Sequence, residues 1–175
     1  MNKIVKGLFA VASADSEWGI GYHGELLARV SKDMKTFRSL TTGKAVILGS
    51  KTLKTFPGGR PLKNRTNIIL TRNPDFGTDG AVVCHGIDEV LSKITGETAV
   101  IGGEQIYRQL LPYCERAYIT RFRHSFEKDA FFPDLDSDRT WKLIGIADSF
   151  VSEDTDSISG MQCDLCVYGR VYDEN

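Results

Sequence analysis

One carboxylate stands on the apolar face of a short helix that the sequence predicts. The stretch VSKDMKTFRSL begins at Val30 and is amphipathic at about 100° per residue, with Phe37 and Leu40 on its apolar side. Asp33 falls between those two side chains. An N-cap at Ser31 would place this acid in the first turn, where negative charge suits the helix dipole. Alternatively, a pocket requires a buried acid there, because ionised groups are rarely buried without a partner.

Two glycine turns could bind a phosphate-bearing ligand. The segments Gly49-Ser50-Lys51-Thr52 and Gly102-Gly103-Glu104-Gln105-Ile106-Tyr107 each follow an apolar run and open a helix, and Thr71-Arg72 ends a third run. Glycine allows a ligand to approach the backbone closely, and a helix N-terminus offers free N–H groups to an anion. Neither turn matches the Rossmann or P-loop pattern, so those two mechanisms are not indicated.

Arg65 is a candidate for binding a carboxylate. It directly precedes a predicted buried strand, where its guanidinium could form two parallel hydrogen bonds with a carboxylate. Thr120 lies in the apolar run AYITRF and is by itself an ordinary strand threonine. The three histidines have no metal-ligand spacing, which favours solvated or loosely hydrogen-bonded roles. They are His23, His85 and His124.

Composition and charge narrow the class of protein. The chain has 175 residues, of which 41% are hydrophobic and 26% charged, and this suits one globular domain spanning residues 1–175. A net charge of −1 gives no general attraction to nucleic acid or to an anionic membrane. Apolar runs stay well short of the ~20 residues that span a bilayer. Cys163 and Cys166 form a lone C-x-x-C, which predicts free thiols rather than zinc and favours a cytoplasmic protein.

Strand-like and helix-like segments alternate along most of the chain. The apolar runs suit buried strands and lie at residues 8–14, 45–50, 66–71, 81–85, 98–103 and 117–122. Helical spacing falls at residues 31–41, 51–56, 87–94 and 106–111. This alternation predicts an α/β fold with a largely parallel sheet, whose strand carboxyl ends collect ligands. Two longer strands near the C-terminus, within 141–151 and 161–172, predict an antiparallel hairpin at a sheet edge.

In order and spacing, these segments resemble bacterial dihydrofolate reductase over nearly the whole chain. The matching segments are WGIG from Trp18, the helix with Asp33 and Phe37, VILGSKT from Val46, PLKNRTNI from Pro61, LTR from Leu70, VIGGEQIY from Val100, Ile119-Thr120 and DAFFP from Asp129. The resemblance implies a three-layer α/β/α fold with an eight-stranded, mostly parallel sheet and a C-terminal antiparallel hairpin. It also implies a monomer that transfers hydride from NADPH to 7,8-dihydrofolate and binds antifolates such as trimethoprim or methotrexate.

The resemblance also assigns roles to individual residues. Asp33 would orient the pterin and promote its protonation, with support from Thr120, and burial should raise the pKa of this acid. The Gly102–Gly103 peptide would be cis. The substrate pocket would be formed by Val11, Phe37, Phe56, Leu62 and Arg65. The cofactor site would be formed by Ser13, Ile20, Gly49, Ser50, Lys51, Thr52, Thr71, Arg72, Gly102, Gly103, Glu104, Gln105, Ile106 and Tyr107.

Two departures from the family pattern and two alternative functions accompany this interpretation. Leu27 and Ala28 stand where the family usually has Pro-Trp, and Ser50 stands where many members have arginine. Recognition of the cofactor 2′-phosphate must therefore come from Lys51 and Arg72. The first alternative is the NADPH-dependent pyrimidine reductase of riboflavin biosynthesis, which shares the fold. The second is a non-catalytic folate- or nucleotide-binding module.

Overall fold

The computed structural model describes residues 2–172, in which strands and helices alternate through most of the chain. The strands are β1 (Val5–Ala14), β2 (Gly19–Tyr22), β3 (Glu25–Leu26), β4 (Ala45–Gly49), β5 (Thr66–Leu70), β6 (Ala81–Cys84), β7 (Thr98–Gly102), β8 (Cys114–Phe122), β9 (Ala130–Phe131), β10 (Trp141–Val151) and β11 (Gln162–Arg170). The helices are α1 (Ser31–Thr41), α2 (Ser50–Lys54), α3 (Ile87–Ser92) and α4 (Glu104–Leu110), with 3₁₀ turns at Pro57–Gly59 and Leu111–Tyr113.

Eight strands form one sheet in the order β10-β11-β8-β1-β7-β4-β5-β6. All neighbours from β8 to β6 are parallel, whereas β11 is antiparallel to both β8 and β10. The predicted sheet and its C-terminal hairpin are therefore confirmed. A separate three-stranded sheet of β3, β2 and β9 was not predicted, because its strands have only two to four residues and carry no clear periodicity.

Helices cover both faces of the sheet and give it three layers. Alternate residues of β1 enter opposite hydrophobic clusters: Leu8 packs with residues of α3 and α4, whereas Phe9 and Val11 pack with Phe37 of α1 and Leu53 of α2. Because side chains alternate along a strand, Ser13 shares the α1 face with Phe9 and Val11. The sheet therefore presents a polar group to α1 at the end of an otherwise apolar row.

The start of α1 corrects one prediction. Ser31 is not the N-cap: the helix begins at Ser31, Val30 takes the cap position, and no side chain of Val30 or Ser31 caps the helix. Instead Asp156, in the connection between β10 and β11, accepts hydrogen bonds from both the backbone N–H and the hydroxyl of Ser31, each at 2.9 Å. Asp156 therefore already supplies a carboxylate at the N-terminus of α1. Because Asp33, which does lie in the first turn, is not needed for that purpose, its orientation requires another explanation.

All four cysteines are buried and form no disulfide within the described residues, which agrees with the free thiols predicted for Cys163 and Cys166. Cys163 packs with Met161 on one face of the hairpin, and Cys166 belongs to the core on the other face. Between residues 2 and 172 there is no grouping of His, Cys, Asp and Glu side chains suited to a metal ion. Nor does any helix of this described part have the length and apolar character to cross a membrane.

Candidate active site

Two hydroxyls on neighbouring strands face Asp33. Ser13 on β1 and Thr120 on β8 are register partners in a parallel pair, so their side chains project from the same face of the sheet. The α1 helix crosses this face and brings its carboxylate to them. Ser13 Oγ donates a hydrogen bond to Asp33 Oδ2 at 2.5 Å, and the hydroxyl of the buried Thr120 faces the same acid and lowers its pKa. The structure therefore brings Ser13 and Thr120 to Asp33, and the supporting role of Thr120 in the reaction stays a prediction.

The surroundings of Asp33 favour its neutral form. Burial raises the pKa of its carboxyl above the ordinary aspartate value, and the hydrogen bonds from Ser13 and Thr120 oppose that rise without cancelling it. Among the described residues, no lysine or arginine forms an ion pair with this carboxylate. Asp33 therefore takes up a proton more readily than a solvated aspartate, which suits a group that assists proton transfer.

The apolar side chains that were predicted to line the substrate pocket lie on the face of the sheet that α1 and Asp33 cover. Val11, Phe37, Phe56 and Leu62 belong to a single hydrophobic cluster, in which Val11 is buried and the other three are partly exposed. Partly exposed apolar side chains on the sheet face that carries an acid are suited to a flat ring with N–H donors along one edge.

Two guanidinium groups lie close together at the C-terminal end of α1. Arg65 Nε donates to Thr41 Oγ1 at 2.9 Å, and Arg65 Nη1 donates to the Lys63 carbonyl, also at 2.9 Å. The pKa of Arg65 is lowered by burial and then by the positive charge of Arg38. Within residues 2–172 neither arginine is paired with a carboxylate, so the pair favours an anion. Sequence reasoning missed Arg38 because only the tertiary fold places it beside Arg65.

Asn67 fixes the segment that carries Leu62 and Arg65. Its Oδ1 accepts from Leu62 N at 3.0 Å, and its Nδ2 donates to Leu62 O at 2.9 Å and to Arg65 O at 3.2 Å. The side chain is buried in β5, so these bonds are shielded from water. Sequence reasoning did not assign Asn67; the available sign was an amide inside a buried apolar run.

The two glycine turns pack against each other because β4 and β7 are parallel neighbours. A Cβ on Gly49 would lie 3.1 Å from Ile106 Cγ1, and one on Gly103 would lie 3.3 Å from Thr52 Oγ1. A larger residue would therefore push the two turns apart. The Gly102–Gly103 peptide is cis, as predicted.

The edge formed by these turns fits an anionic cofactor. Neither α2 nor α4 is capped by a side chain within the described chain, so N–H groups at the start of both helices are free of side-chain caps and can bind phosphate oxygens; in α4, Ile106 N is bonded to Gly103 O instead. Lys51 and Arg72 are exposed at the same edge, and Ser50 Oγ lies 3.4 Å from Thr71 Oγ1, which links α2 to the end of β5. Backbone N–H groups can bind the pyrophosphate of a dinucleotide, and the two cations, Lys51 and Arg72, can bind an additional phosphate.

Other residues predicted to bind the cofactor make contacts within the protein. Tyr107 donates from its hydroxyl to the Val11 carbonyl at 2.6 Å, and Glu104 Oε1 accepts from Phe131 N at 2.8 Å. Ile106 is buried beneath Gly49, Gln105 is exposed, and Ile20 packs partly buried against the core. These contacts brace α4, β1 and β2, and direct cofactor contact by these residues stays a prediction.

Asp15 anchors the segment between β1 and β2, a role that sequence reasoning did not foresee. It is fully buried; its Oδ1 accepts from Gly19 N at 2.8 Å, while Oδ2 accepts from Phe126 N at 3.0 Å and lies 2.9 Å from Lys128 Nζ. Burial alone would raise the pKa of Asp15, but the backbone and lysine donors outweigh it and hold the pKa below the ordinary value. The anchor fixes the strand that carries Ile20.

Comparison with known proteins gives one consistent family. Residues 7–170 match the family model described as dihydrofolate reductase. The chain is similar to the dihydrofolate reductase of Bacillus subtilis (strain 168), with 38% identity over 136 residues covering 77% of this chain and 79% of that protein. It is also similar to the Staphylococcus haemolyticus enzyme, with 37% identity over 138 residues covering 78% and 81%.

A solved structure agrees with this. Dihydrofolate reductase from Enterococcus faecalis, complexed with NADP(H) and RAB-propyl, superposes with a TM-score of 0.82 at 32% identity. The match covers 94% of this chain and 96% of that one.

Proposed function

This chain belongs to the dihydrofolate reductase family, and from that premise we propose how its own residues carry out the reaction. The activity is the NADPH-dependent reduction of 7,8-dihydrofolate to 5,6,7,8-tetrahydrofolate. One observation supports the residue assignment above all others: a single acid with a raised pKa faces two strand hydroxyls on the sheet face that carries the partly exposed apolar cluster of Val11, Phe37, Phe56 and Leu62. The pyrimidine reductase and the non-catalytic module are not favoured.

Asp33 orients the substrate and assists its protonation. A pterin ring has N–H donors along one edge, and the carboxylate of Asp33 is the acceptor for them. When bound, NADPH supplies the hydride for the reacting C=N bond; the nitrogen of that bond must gain a proton. Because burial raises the pKa of Asp33, this group carries a proton at higher pH than an ordinary aspartate, and it promotes protonation of the imine. Thr120 holds the acid in place.

The apolar walls position the ring and exclude water. Val11, Phe37, Phe56 and Leu62 contact the faces of a flat heterocycle better than they contact solvent. Excluding water strengthens the hydrogen bonds that Asp33 makes with the substrate and protects the hydride from side reactions. The glycine turns at the carboxyl ends of β4 and β7, together with Lys51 and Arg72, hold the phosphates of the cofactor.

Arg65→Ala is expected to raise the KM for dihydrofolate by about 10–100-fold, because a charge-assisted hydrogen bond to the glutamate tail is worth roughly 1.5–3 kcal/mol. The value of kcat should change little, since the tail is remote from the reacting bond. Steady-state kinetics with a dihydropterin that lacks the tail provides the control. Equal losses for both substrates would contradict a role in binding the tail.

Lys51→Ala and Arg72→Ala are each expected to weaken NADPH binding by about tenfold or more and to weaken NADH binding much less, because only NADPH has the 2′-phosphate. Dissociation constants for both cofactors, measured by fluorescence titration, test this. Lys54→Ala is the matched control, because Lys54 is an exposed lysine on the same short helix. If Lys51→Ala and Arg72→Ala weakened both cofactors equally, these side chains would not read the 2′-phosphate.

The assay for the activity follows NADPH absorbance with dihydrofolate or a ribosylaminopyrimidine as the second substrate. Rapid oxidation of NADPH is expected with dihydrofolate and not with the ribosylaminopyrimidine, and competition by trimethoprim or methotrexate should slow it. Oxidation only with the pyrimidine, or with neither substrate, would refute the proposed reaction.

We also propose that the chain acts as one domain, residues 1–175, and as a monomer in the cytoplasm. One sheet runs from Val5 to Arg170, which supports a single folding unit, and four buried free thiols are compatible with a reducing compartment. Light scattering during size-exclusion chromatography should give the mass of one chain. A mass of two chains at micromolar concentration would contradict the monomer.

A further inference from the structure

We infer that Ser13 is a positioning residue for Asp33: its hydroxyl, which donates to Asp33 Oδ2 at 2.5 Å, fixes the carboxylate on the sheet face. The inference rests on the proposed function, in which Asp33 is the catalytic acid. It differs from the role that the family resemblance suggests for Ser13, a lining of the nicotinamide site. Because a serine hydroxyl has a single proton to donate, a hydroxyl that donates to Asp33 cannot donate to a carboxamide at the same time.

The geometry leaves room for the substrate. A carboxylate has about four acceptor positions: the Ser13 hydroxyl occupies one at 2.5 Å, and the Thr120 hydroxyl, which lowers the pKa of this acid, takes at most a second. Two positions remain for the N–H edge of a pterin. Both hydroxyls come from central, parallel strands in register, so neither depends on a mobile loop for its position. Ser13 therefore restrains Asp33 without competing for the substrate's place.

The other groups near Asp33 cannot replace this donor. The apolar cluster beside the start of α1 contains Ala28, Val30 and Phe122 and provides no donor side chain except the thiol of Cys163. Burial, together with the nearby negative charge of Asp33, raises the pKa of Cys163 to about 12, so this thiol is neutral at physiological pH. Lys32 on the same helix is paired with Asp148 instead. Within residues 2–172, stabilisation of the Asp33 charge thus comes from the two hydroxyls.

Removing the Ser13 hydroxyl should alter the titration of Asp33. Its hydrogen bond opposes the effect of burial, so Ser13→Ala should raise the pKa of Asp33 further above the wild-type value. The alkaline limb of the pH–rate profile should move upward by the same amount. Without the Ser13 hydroxyl, the Asp33 side chain must be ordered when the substrate binds. Ordering one side chain usually weakens binding by about two- to tenfold, so the KM for dihydrofolate should rise by that factor.

Three variants of the full-length protein test the inference. Ser13→Ala removes the donor, and Ser13→Thr retains a hydroxyl at the same position. Thr98→Val removes a buried hydroxyl at the start of β7, where Thr98 Oγ1 donates to Gly96 O, away from Asp33. Carbon-detected NMR follows the Asp33 carboxyl during a pH titration of the ligand-free protein. The signal is assigned by its absence in Asp33→Asn.

The expected result is an upward shift of the Asp33 titration in Ser13→Ala, with wild-type behaviour in Ser13→Thr and Thr98→Val. An Asp33 titration in Ser13→Ala that coincides with the wild type would overturn the inference. So would an upward shift of equal size in Thr98→Val, because that would reflect a general loss of stability. A wild-type protein that failed to reduce dihydrofolate would refute the proposed function, while the NMR titration would still decide whether Ser13 controls Asp33.

Discussion

Asp33→Asn is expected to lower kcat/KM for dihydrofolate by about 10²–10⁴, the usual contribution of a positioned acid or base. Asparagine keeps the size of the side chain but loses the charge and the proton. Its amide also presents N–H groups where the substrate edge presents N–H donors, so orientation and proton transfer should both suffer. Steady-state rates at neutral pH, under saturating NADPH, measure the loss.

Two further measurements on Asp33→Asn separate catalysis from folding. The affinity for NADPH should be nearly unchanged, because Lys51, Arg72 and the glycine turns lie apart from α1. Stability should rise at neutral pH. The native state binds the Asp33 proton more tightly than the unfolded chain does, so the free energy of unfolding falls as pH rises from the ordinary aspartate value, about 3.8, to the raised native value. Above that pKa the native state bears the full free-energy cost of burying the ionised Asp33 carboxylate, and Asp33→Asn removes this cost.

The helix-dipole explanation of Asp33 makes the opposite prediction. If the acid served mainly to complement the N-terminus of α1, Asp33→Asn would lower the melting temperature and leave turnover near normal. The structure already weakens this explanation, because Asp156 binds the first N–H and the hydroxyl of Ser31. Wild-type activity together with reduced stability would nevertheless support it.

Asp15→Ala is expected to destabilise the protein by about 3–5 kcal/mol, because it leaves a buried ion pair broken and backbone donors without an acceptor. Urea unfolding monitored by fluorescence measures this effect. Asp15→Asn should cost less, since its amide oxygen can still accept from the backbone. Glu25→Ala is the matched control: the Glu25–Arg29 pair is exposed, and its loss should change stability by less than about 1 kcal/mol.

The pH dependence of Asp15 has the opposite sign to that of Asp33. Hydrogen bonds and Lys128 hold the native pKa of Asp15 below the ordinary value, so its contribution is complete above about pH 3.8 and is lost as pH falls through the native value. Relative to wild type, Asp15→Ala should therefore be most destabilised near neutral pH and least destabilised in acid. A difference that stayed constant down to pH 2 would show that the charge of Asp15 does not matter.

Much of the fold could be predicted because its parallel strands are buried on both faces. Runs such as AVIL in β4 and AVI in β7 are continuously apolar, and their alternation with helical segments leaves few topologies. The short sheet of β2, β3 and β9 could not be predicted, since β2 and β3 are too short to show periodicity and β9 pairs with β2 from more than 100 residues away in sequence. The cap on α1 was assigned wrongly for a similar reason: Asp156 reaches Ser31 from the opposite end of the chain.

The site residues also fall into those that the sequence could predict and those that only the structure reveals. Helical periodicity marks Asp33 as an acid on an apolar face but leaves the helix-dipole explanation open, and the family resemblance assigns its role; the glycine turns stand out from their positions after apolar runs. The neighbours that give these residues their properties depend on tertiary packing. Ser13 lies beside Thr120 because β1 pairs with β8, and it reaches Asp33 because α1 packs on that face of the sheet. Arg38 influences Arg65 because α1 ends near the start of β5. Asp15 stands in a segment without periodicity, so only the structure shows that it is buried.

The most direct test of the central claim is the pH dependence of single-turnover hydride transfer in wild type and Asp33→Asn. Premixed enzyme and NADPH are combined rapidly with dihydrofolate, and cofactor absorbance is followed between pH 5 and 9. The wild-type rate should be highest at low pH and fall as pH rises through the raised pKa of Asp33, whereas the variant should be slower and lack that transition. Identical profiles for the two proteins would show that Asp33 does not govern proton transfer.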